Sequence, residues 1–253
     1  MSGHSKWATI KRKKAATDSA RGRLFTRLIK EIVIAARSGG GNAEGNPRLR
    51  LAIQTAKQAN MPAENIKRAI QRGTGELPGV IYEEVTYEGY GPGGVAVLVD
   101  VVTDNSNRAV SEMRHSFSRN NGNMGQSGSV AWMFQRKGNI VVPRTGSGVT
   151  EDDLLGIILE AGAEDMQADD EAFIVVTAPA VFEAVKKAIE DKGIKVESAA
   201  LQMVPQNTVK VTGKEAEQVL RLMEALEEHD DVQNVYSNFD IDEEIMQELA
   251  AQT

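Results

Sequence analysis

Apolar residues in the first 76 positions recur at helical spacing. Leu24, Leu28 and Ile32 fall on one side of a helix and predict its buried face. The opposite side of that helix is a basic stripe of Arg23, Arg27, Lys30 and Arg37, interrupted only by Ile34. A second helix is predicted over about 48–59, and a third begins near Pro62 and stops at Gly73. The pattern therefore predicts an N-terminal domain of three helices.

After Gly75 the pattern changes from helical to strand-like spacing. Strands are predicted over 80–90 and 95–103, a helix after the capping-prone cluster 104–107, and a further strand over 130–134. The next stretch predicts a strand, helix, strand, strand, helix and strand at 139–142, 150–161, 166–168, 172–177, 179–192 and 195–204. This order is that of the split ferredoxin-like unit. A last strand, helix and strand are predicted over 208–211, 214–228 and 232–239.

The segments on either side of the ferredoxin-like stretch are each incomplete. Alone, each would leave an unpaired sheet edge, so we expect them to complete one another across the insertion. The predicted fold class is α+β with three domains. The predicted domains are a basic helical domain at 1–77, an α+β domain at 78–136 plus 205–243, and an inserted ferredoxin-like domain at 137–204.

Composition narrows the class of protein further. The chain has 253 residues, 41% of them hydrophobic, and no cysteine, which excludes disulfide scaffolds, zinc ribbons, iron–sulfur sites and thiol nucleophiles. No apolar run approaches the roughly 18 residues of a membrane span, and the N-terminus leads into a basic run rather than an apolar signal core. We expect a cytoplasmic protein with no membrane partner.

The two signs of charge are segregated along the chain. Residues 1–76 hold 16 basic and 5 acidic side chains, a net of +11, whereas residues 77–253 hold 13 and 31, a net of −18. Such asymmetry indicates a polyanion-binding part attached to a part with another role.

Catalytic and metal-binding motifs are not found in the sequence. The glycines of 89–94 are interrupted by Pro92 and are followed by a strand, so a tight turn is favoured over a dinucleotide site. His4, His115 and His229 are isolated from one another. We therefore expect no enzyme activity, no cofactor and no metal.

The candidate nucleic-acid contacts lie in the basic part. Lysine and arginine dominate phosphate contacts, and Trp7 offers a face for stacking, although packing in a core is the commoner role of a tryptophan. Asn46 and its neighbours flank a glycine-rich loop at 38–46, which we expect to be mobile without a target, like the loop at 120–129. The candidate set is Lys6, Trp7, Lys11, Arg12, Lys13, Lys14, Arg21, Arg23, Arg27, Lys30, Arg37, Asn46 and Arg48.

Several motifs carry a resemblance to a known family. They are GHSKW at 3–7, KRKK at 11–14, LFTRLIKEI at 24–32, NPRLR at 46–50, NMP at 60–62, YEGYGPGG at 87–94 and VQNVYSNF at 232–239. Together they resemble the YebC/PmpR family over essentially the whole chain. The resemblance implies probable transcriptional regulation without enzyme activity, and a helical first domain, an α+β second domain and an inserted third domain. It also implies a link to translation, through a mitochondrial relative that activates synthesis of a cytochrome oxidase subunit and through bacterial members connected with ribosome stalling.

Three functions follow as alternatives. The first is a DNA-binding transcriptional regulator, and the second is a translation factor that binds ribosomal RNA and relieves stalling, with the ribosome as partner. The third is a small-molecule sensor that uses the ferredoxin-like domain, which rests on fold analogy alone. The basic stripe lacks the Asn and Gln pairings that read base edges, so we expect low intrinsic specificity for duplex sequence.

Overall fold

The structure is a computed structural model that describes residues 18–168, 171–242 and 245. Within the described residues the chain forms two compact units. One unit spans 132–207, and the other comprises 18–131 together with 208–242. Each is described separately below.

Three helices open the larger unit. They are α1 (Asp18–Gly39), α2 (Pro47–Gln58) and α3 (Ala63–Thr74). Proline suits the first turn of α2, where its missing N–H has no partner to lose. Gly75 ends α3 in the left-handed conformation, with a φ of 83°. Ile32, Leu49 and Ile66 from the three helices share one hydrophobic core, as the periodicity predicted.

An α+β sandwich occupies the rest of the larger unit. Its first elements are β1 (Glu83–Tyr90), β2 (Ala96–Thr103), α4 (Ser106–Arg119) and β3 (Asn123–Met124). β1 is antiparallel to both β2 and β3. The strand predicted from residue 80 begins only at Glu83, which leaves 75–82 as an irregular linker after α3.

The strand predicted over 130–134 is wrong. A 3₁₀ turn covers Ala131–Met133 in its place. The carboxylate of Glu88 accepts hydrogen bonds from the backbone N–H groups of Val130 and Ala131, which are therefore unavailable to a ladder. The next strand starts only after this turn.

The smaller unit has ferredoxin-like topology. Its elements are β4 (Phe134–Pro143), α5 (Glu151–Glu160), β5 (Asp165–Ala168), β6 (Ala172–Thr177), α6 (Phe182–Asp191) and β7 (Ser198–Pro205). The strands form one antiparallel sheet in the order β5-β6-β4-β7. Thr150 caps α5 by accepting a hydrogen bond from the Asp153 N–H, as its capping pattern predicted. Ile158 of α5 and Val185 of α6 belong to the same core as Ile140 of the sheet.

The chain then returns to the larger unit. The returning elements are β8 (Val209–Lys210), α7 (Gly213–Glu227), β9 (Val232–Ser237) and β10 (Phe239–Asp240). β9 pairs with β2 in a sheet of order β3-β1-β2-β9, while β10 pairs in parallel with β8. Phe117 of α4 and Leu222 of α7 pack in the core on this sheet.

The predicted fold class is confirmed as α+β with an N-terminal helical region. The predicted domain boundaries stay a prediction. Among the helices that the structure describes, none is long and apolar enough to cross a membrane.

Two glycines within helices are expected to respond oppositely to alanine. A Cβ at Gly73 of α3 would lie 2.5 Å from the Val33 carbonyl oxygen of α1, so Gly73→Ala should lower the free energy of unfolding by about 1–3 kcal/mol. A Cβ at Gly156 of α5 would meet nothing within 4 Å, so Gly156→Ala should raise it by about 0.5–1 kcal/mol. Urea unfolding of the two variants checks both signs. Stabilisation by Gly73→Ala would contradict the close α1–α3 contact.

Candidate nucleic-acid interface

The basic stripe of α1 lies against the chain's own second sheet. Lys30 is only 5% exposed, and its ammonium group donates to the carbonyl oxygens of Val102 at 3.1 Å and Asp230 at 2.9 Å. It also forms an ion pair with Asp231, with Nζ 2.7 Å from Oδ1. All three hydrogen-bonding protons of this lysine therefore have acceptors within the chain, and the side chain is not available to a phosphate.

The two arginines that precede Lys30 face the C-terminal end of α7. Arg27 is half-buried and donates to the carbonyl oxygen of Glu227, and burial lowers the pKa of its guanidinium. Arg23 lies 3.7 Å from a carboxylate oxygen of Glu228. Cations at this end of a helix are stabilised by its unpaired carbonyls and partial negative charge. These two candidates thus help to hold α1 on α7.

The candidates near the glycine-rich loop also make contacts within the chain. Arg48 forms ion pairs with Glu31 of α1 at 2.7 Å and Glu84 of β1 at 2.5 Å, and these hydrogen bonds raise the pKa of its guanidinium. Arg37 donates to the carbonyl oxygen of Tyr82 at 2.5 Å and remains exposed. Arg48 therefore links α2 to α1 and β1, whereas the exposed part of Arg37 remains accessible to a ligand.

Asn46 has a structural role. Its side-chain amide donates to the carbonyl oxygens of Ala35 and Gly40, and its oxygen accepts from the Leu49 N–H at the start of α2. The side chain is buried. It therefore caps α2 and ties the glycine-rich loop to α1, so we leave it out of the proposed interface.

These intrachain contacts place Arg23, Arg27, Lys30, Arg37 and Arg48 along one boundary. We call this boundary, between the three helices and the sheet β3-β1-β2-β9 with α7, the helix–sheet seam. Arg21 is exposed and lies over the ring of Phe25, with 5.5 Å between the guanidinium carbon and the ring centroid. The other predicted contacts, Lys6, Trp7, Lys11, Arg12, Lys13 and Lys14, lie outside the described residues.

Asp231 is the centre of the helix–sheet seam, and sequence analysis missed it. Besides Lys30, its carboxylate accepts hydrogen bonds from Thr103 at 2.8 Å and Arg108 at 2.7 Å. Burial would raise the pKa of this carboxyl, but the hydrogen bonds outweigh it and lower the pKa to about 2. Asp231 therefore stays ionised at neutral pH and compensates two cations.

A cluster beside Asp231 has the residue types of a metal site but is occupied by hydrogen bonds. Ligand atoms of Glu112, His229 and Asp231 lie within 4.8 Å of one another. His229 Nδ1 accepts from the Asp231 backbone N–H, which leaves Nε2 to face Glu112 at 2.9 Å. Because the carboxylate of Asp231 already faces two side-chain cations, a divalent ion there would be repelled.

Exposed cations remain on the two shorter helices, and the sequence analysis did not name them. On α3 they are exposed, whereas Ile66 and Ala69 are buried. Arg68 is paired with Glu64, but the others have no carboxylate partner among the described residues. The set without a carboxylate partner on α2 and α3 is Arg50, Lys57, Lys67 and Arg72, and of these Arg50 donates to the carbonyl oxygens of Ala43 and Glu44. These four positive charges face solvent and are available to an anionic ligand.

The loop predicted to be mobile at 120–129 has fixed contacts in the structure. The buried Glu88 carboxylate accepts from the N–H of Gly128 at 2.6 Å and from Val130 and Ala131 at 2.7 Å each. Burial would raise the pKa of Glu88, but the hydrogen bonds from the three backbone donors outweigh it, so that the pKa lies below its usual value. The acceptor comes from β1, about 40 residues upstream, so loop composition alone could not indicate it.

The chain is similar over nearly its whole length to proteins named as probable transcriptional regulators. A probable transcriptional regulatory protein of Solibacter usitatus is 60% identical over 250 residues, which cover 99% of this chain and all of the relative. One from Desulfotalea psychrophila is 59% identical over 251 residues, with the same coverage. The crystal structure of a conserved hypothetical protein from Aquifex aeolicus is 51% identical, covers 90% of this chain and 93% of its own, and has a TM-score of 0.82.

Family models match nearly the whole chain. Residues 5–76 match the N-terminal domain of TACO1/YebC proteins, and residues 82–239 match their second and third domains. The chain belongs to the TACO1/YebC family, and the predicted resemblance is confirmed.

Proposed function

We propose that this protein is a non-enzymatic, cytoplasmic regulator of gene expression that binds nucleic acid through its helical region. The observation that carries the proposal is the set of exposed cations on α2 and α3 that have no carboxylate partner among the described residues. The seam explains the positive charge of α1 without any ligand, but it does not explain these four. The names of the relatives, probable transcriptional regulatory proteins, support a regulatory role.

The contacts proposed are with phosphates rather than base edges. The exposed cations of α3 are arginine and lysine, which contact phosphates. Such contacts position a protein on nucleic acid without reading its sequence. Arg21, Arg37 and the basic run from Lys6 to Lys14 extend the same positive region in the proposal. We therefore expect binding that depends steeply on salt and weakly on sequence.

A triple variant tests the phosphate contacts. Lys57→Gln, Lys67→Gln and Arg72→Gln together should lower the magnitude of the salt slope of binding by about 2–3, since each phosphate contact contributes about 0.7–0.9. The slope is measured by fluorescence anisotropy over a salt series with duplex DNA and with structured RNA. These side chains are exposed, so the melting temperature should barely change.

The matched control carries three exposed lysines of the ferredoxin-like unit. Lys187→Gln, Lys192→Gln and Lys195→Gln remove the same charge and should leave the slope unchanged. Equal effects of the two triple variants would show that net charge, not the α2–α3 surface, governs binding. If neither variant alters the salt slope, the phosphate contacts lie elsewhere on the protein.

DNA and ribosomal RNA are the two candidate targets. The names of the relatives favour DNA. The seam favours RNA, because a helix whose basic stripe is occupied within the chain cannot lie along a major groove through that stripe. Crosslinking in cells, followed by sequencing of both nucleic acids and by gradient fractionation, separates them. Promoter enrichment away from ribosomes supports the first, and ribosomal RNA crosslinks that the triple variant loses support the second.

A further inference from the structure

The linker between α3 and β1 is held on both sides of an exposed apolar pair. Upstream, the Leu77 N–H donates to the Gln71 carbonyl at 3.1 Å, and a Cβ at Gly79 would lie 3.3 Å from Cγ of Arg72. Downstream, the carbonyl of Tyr82 accepts from Arg37, and its ring packs against the helical core. The pair between these attachments is Val80 and Ile81. Its backbone position is therefore fixed by the chain itself.

Both side chains of this pair are largely exposed to solvent although they are apolar. Val80 is 53% exposed, and Ile81, at 76%, is the most exposed large hydrophobic side chain among the described residues. Both are β-branched, so each side chain has few rotamers and loses little conformational freedom when a ligand covers it. The sequence predicted a strand here, but neither residue enters the sheet. The strand-like pattern thus has no explanation in the fold.

Two cations border the pair. The side chain of Arg72 passes close to the linker, since a Cβ at Gly79 would lie 3.3 Å from its Cγ. Arg37 donates to the carbonyl oxygen of Tyr82, one residue after Ile81. Both guanidinium groups belong to exposed residues. An apolar centre with a positive charge on each side matches a nucleic acid, in which apolar base faces lie between phosphates.

We propose that Val80 and Ile81 form an apolar wedge that packs against unstacked bases while Arg37 and Arg72 hold the adjacent phosphates. Aliphatic side chains in other proteins insert between base steps in this way, and the unstacking is offset by added contacts. The inference rests on the proposed function and deepens it, because it assigns base contacts to a protein whose other proposed contacts are phosphates. The wedge binds wherever bases are exposed or easily unstacked.

The test uses the full-length protein and oligonucleotides that carry 2-aminopurine, whose fluorescence rises when it unstacks. Binding of the unmodified protein should raise the fluorescence. The double variant Val80→Ser and Ile81→Ser should abolish that rise and weaken binding by at least about tenfold, since the loss of even one buried aliphatic side chain has that effect. The salt slope should stay the same, since no charge is removed. Duplex DNA, single-stranded DNA and hairpin RNA form the three arms.

Two further variants distinguish the effect of the wedge from that of other exposed apolar residues and of the flanking arginines. Leu159→Ser removes an exposed leucine of α5, 57% accessible, and should change neither fluorescence nor affinity. The double variant Arg37→Gln and Arg72→Gln should lower the magnitude of the salt slope by about 1.5–2. Circular dichroism confirms the fold of each variant, which these exposed positions should preserve.

The outcomes distinguish this inference from the function on which it rests. Salt-dependent binding that is identical in the Ser double variant would overturn the wedge and leave the proposed function standing. No salt-dependent binding in any arm would overturn both. Tighter binding of an acidic, leucine-rich peptide than of all three nucleic acids would also overturn the wedge, because the pair would then be a protein-docking surface.

Discussion

Replacement of Lys30 by alanine is expected to lower the free energy of unfolding of the larger unit by about 3–5 kcal/mol. The ammonium group is buried and forms an ion pair with Asp231, and it also satisfies two backbone carbonyls. Its removal leaves a buried carboxylate short of one partner and two acceptors without donors. Urea unfolding followed by circular dichroism measures the loss.

Variants of two more exposed cations test whether the loss of stability in Lys30→Ala comes from burial in the seam. Arg23 is partly exposed and 3.7 Å from Glu228, so Arg23→Ala should cost no more than about 1 kcal/mol. Lys57 is exposed, and Lys57→Ala should stay within about 0.5 kcal/mol. A loss below 1 kcal/mol for Lys30→Ala, or equal losses for the three variants, would contradict the buried ion pair.

Acid gives an independent measure of the same site. The folded-state pKa of Asp231 is about 2, below its ordinary value near 4, so its ionised form stabilises the fold at neutral pH. This contribution, about 2 kcal/mol, is present above the unfolded pKa and is lost as the pH falls from about 4 towards 2. Asp231→Asn should remove that part of the acid dependence.

Local periodicity explains how much of the fold the sequence could predict. The three N-terminal helices and the ferredoxin-like order follow from hydrophobic spacing within each segment, and Thr150 caps α5 as its pattern predicted. The predicted end of α3 at Gly73 is wrong by one residue, because the helix continues to Thr74 and Gly75 caps it. The strand predicted at 130–134 failed because a carboxylate from β1 takes its backbone donors. That contact joins residues more than 40 positions apart, beyond the reach of any local pattern.

The seam shows why the site was harder to predict than the fold. Lys30 and Asp231 are 201 positions apart, so the segregation of charge along the chain concealed a pairing of opposite charges in space. The sequence predicted that the stripe needs an external polyanion, yet the acidic residues at and after the C-terminal end of α7 supply much of the compensation. One signal was present in the sequence. Ile34, the apolar member of the stripe, is 2% exposed and marks that face as covered.

The cations proposed above to contact nucleic acid are mostly not the ones that the sequence predicted. The expectation named the dense run, the stripe of α1 and Arg48, whereas the other cations of α2 and α3 are spread more widely along the sequence. Lys67 and Arg72 were identified only from the structure, in which both are exposed and have no carboxylate partner among the described residues. The dense run at 11–14 lies outside the described residues, and its role stays a prediction. For the stripe of α1, charge density did not indicate a free surface, because Lys30 and Arg27 have partners within the chain.

Glu88→Gln is expected to cost about 3 kcal/mol, the second of the large effects. The carboxylate accepts three backbone N–H bonds from the loop after β3, and each is a charge-assisted contact in a buried site. Glutamine keeps the shape but turns an N–H₂ group towards donors, so at least one N–H loses its acceptor. The loop should then gain hydrogen exchange at Gly128, Val130 and Ala131, and unfolding in urea should shift to lower concentration.

Glu83→Gln is the matched control for Glu88→Gln, since Glu83 lies on the same strand, is exposed, and accepts from the Ser106 hydroxyl. It should change stability by no more than about 1 kcal/mol and leave exchange in the loop unaltered. Because the folded-state pKa of Glu88 is lowered, its contribution is present above the unfolded pKa and is lost as the pH falls below about 4. Retention of slow exchange at all three amides in Glu88→Gln would show that the loop is held by other contacts. Rapid exchange at these three amides in Glu88→Gln, together with slow exchange in β2, would show that the carboxylate stabilises the loop and not the whole unit.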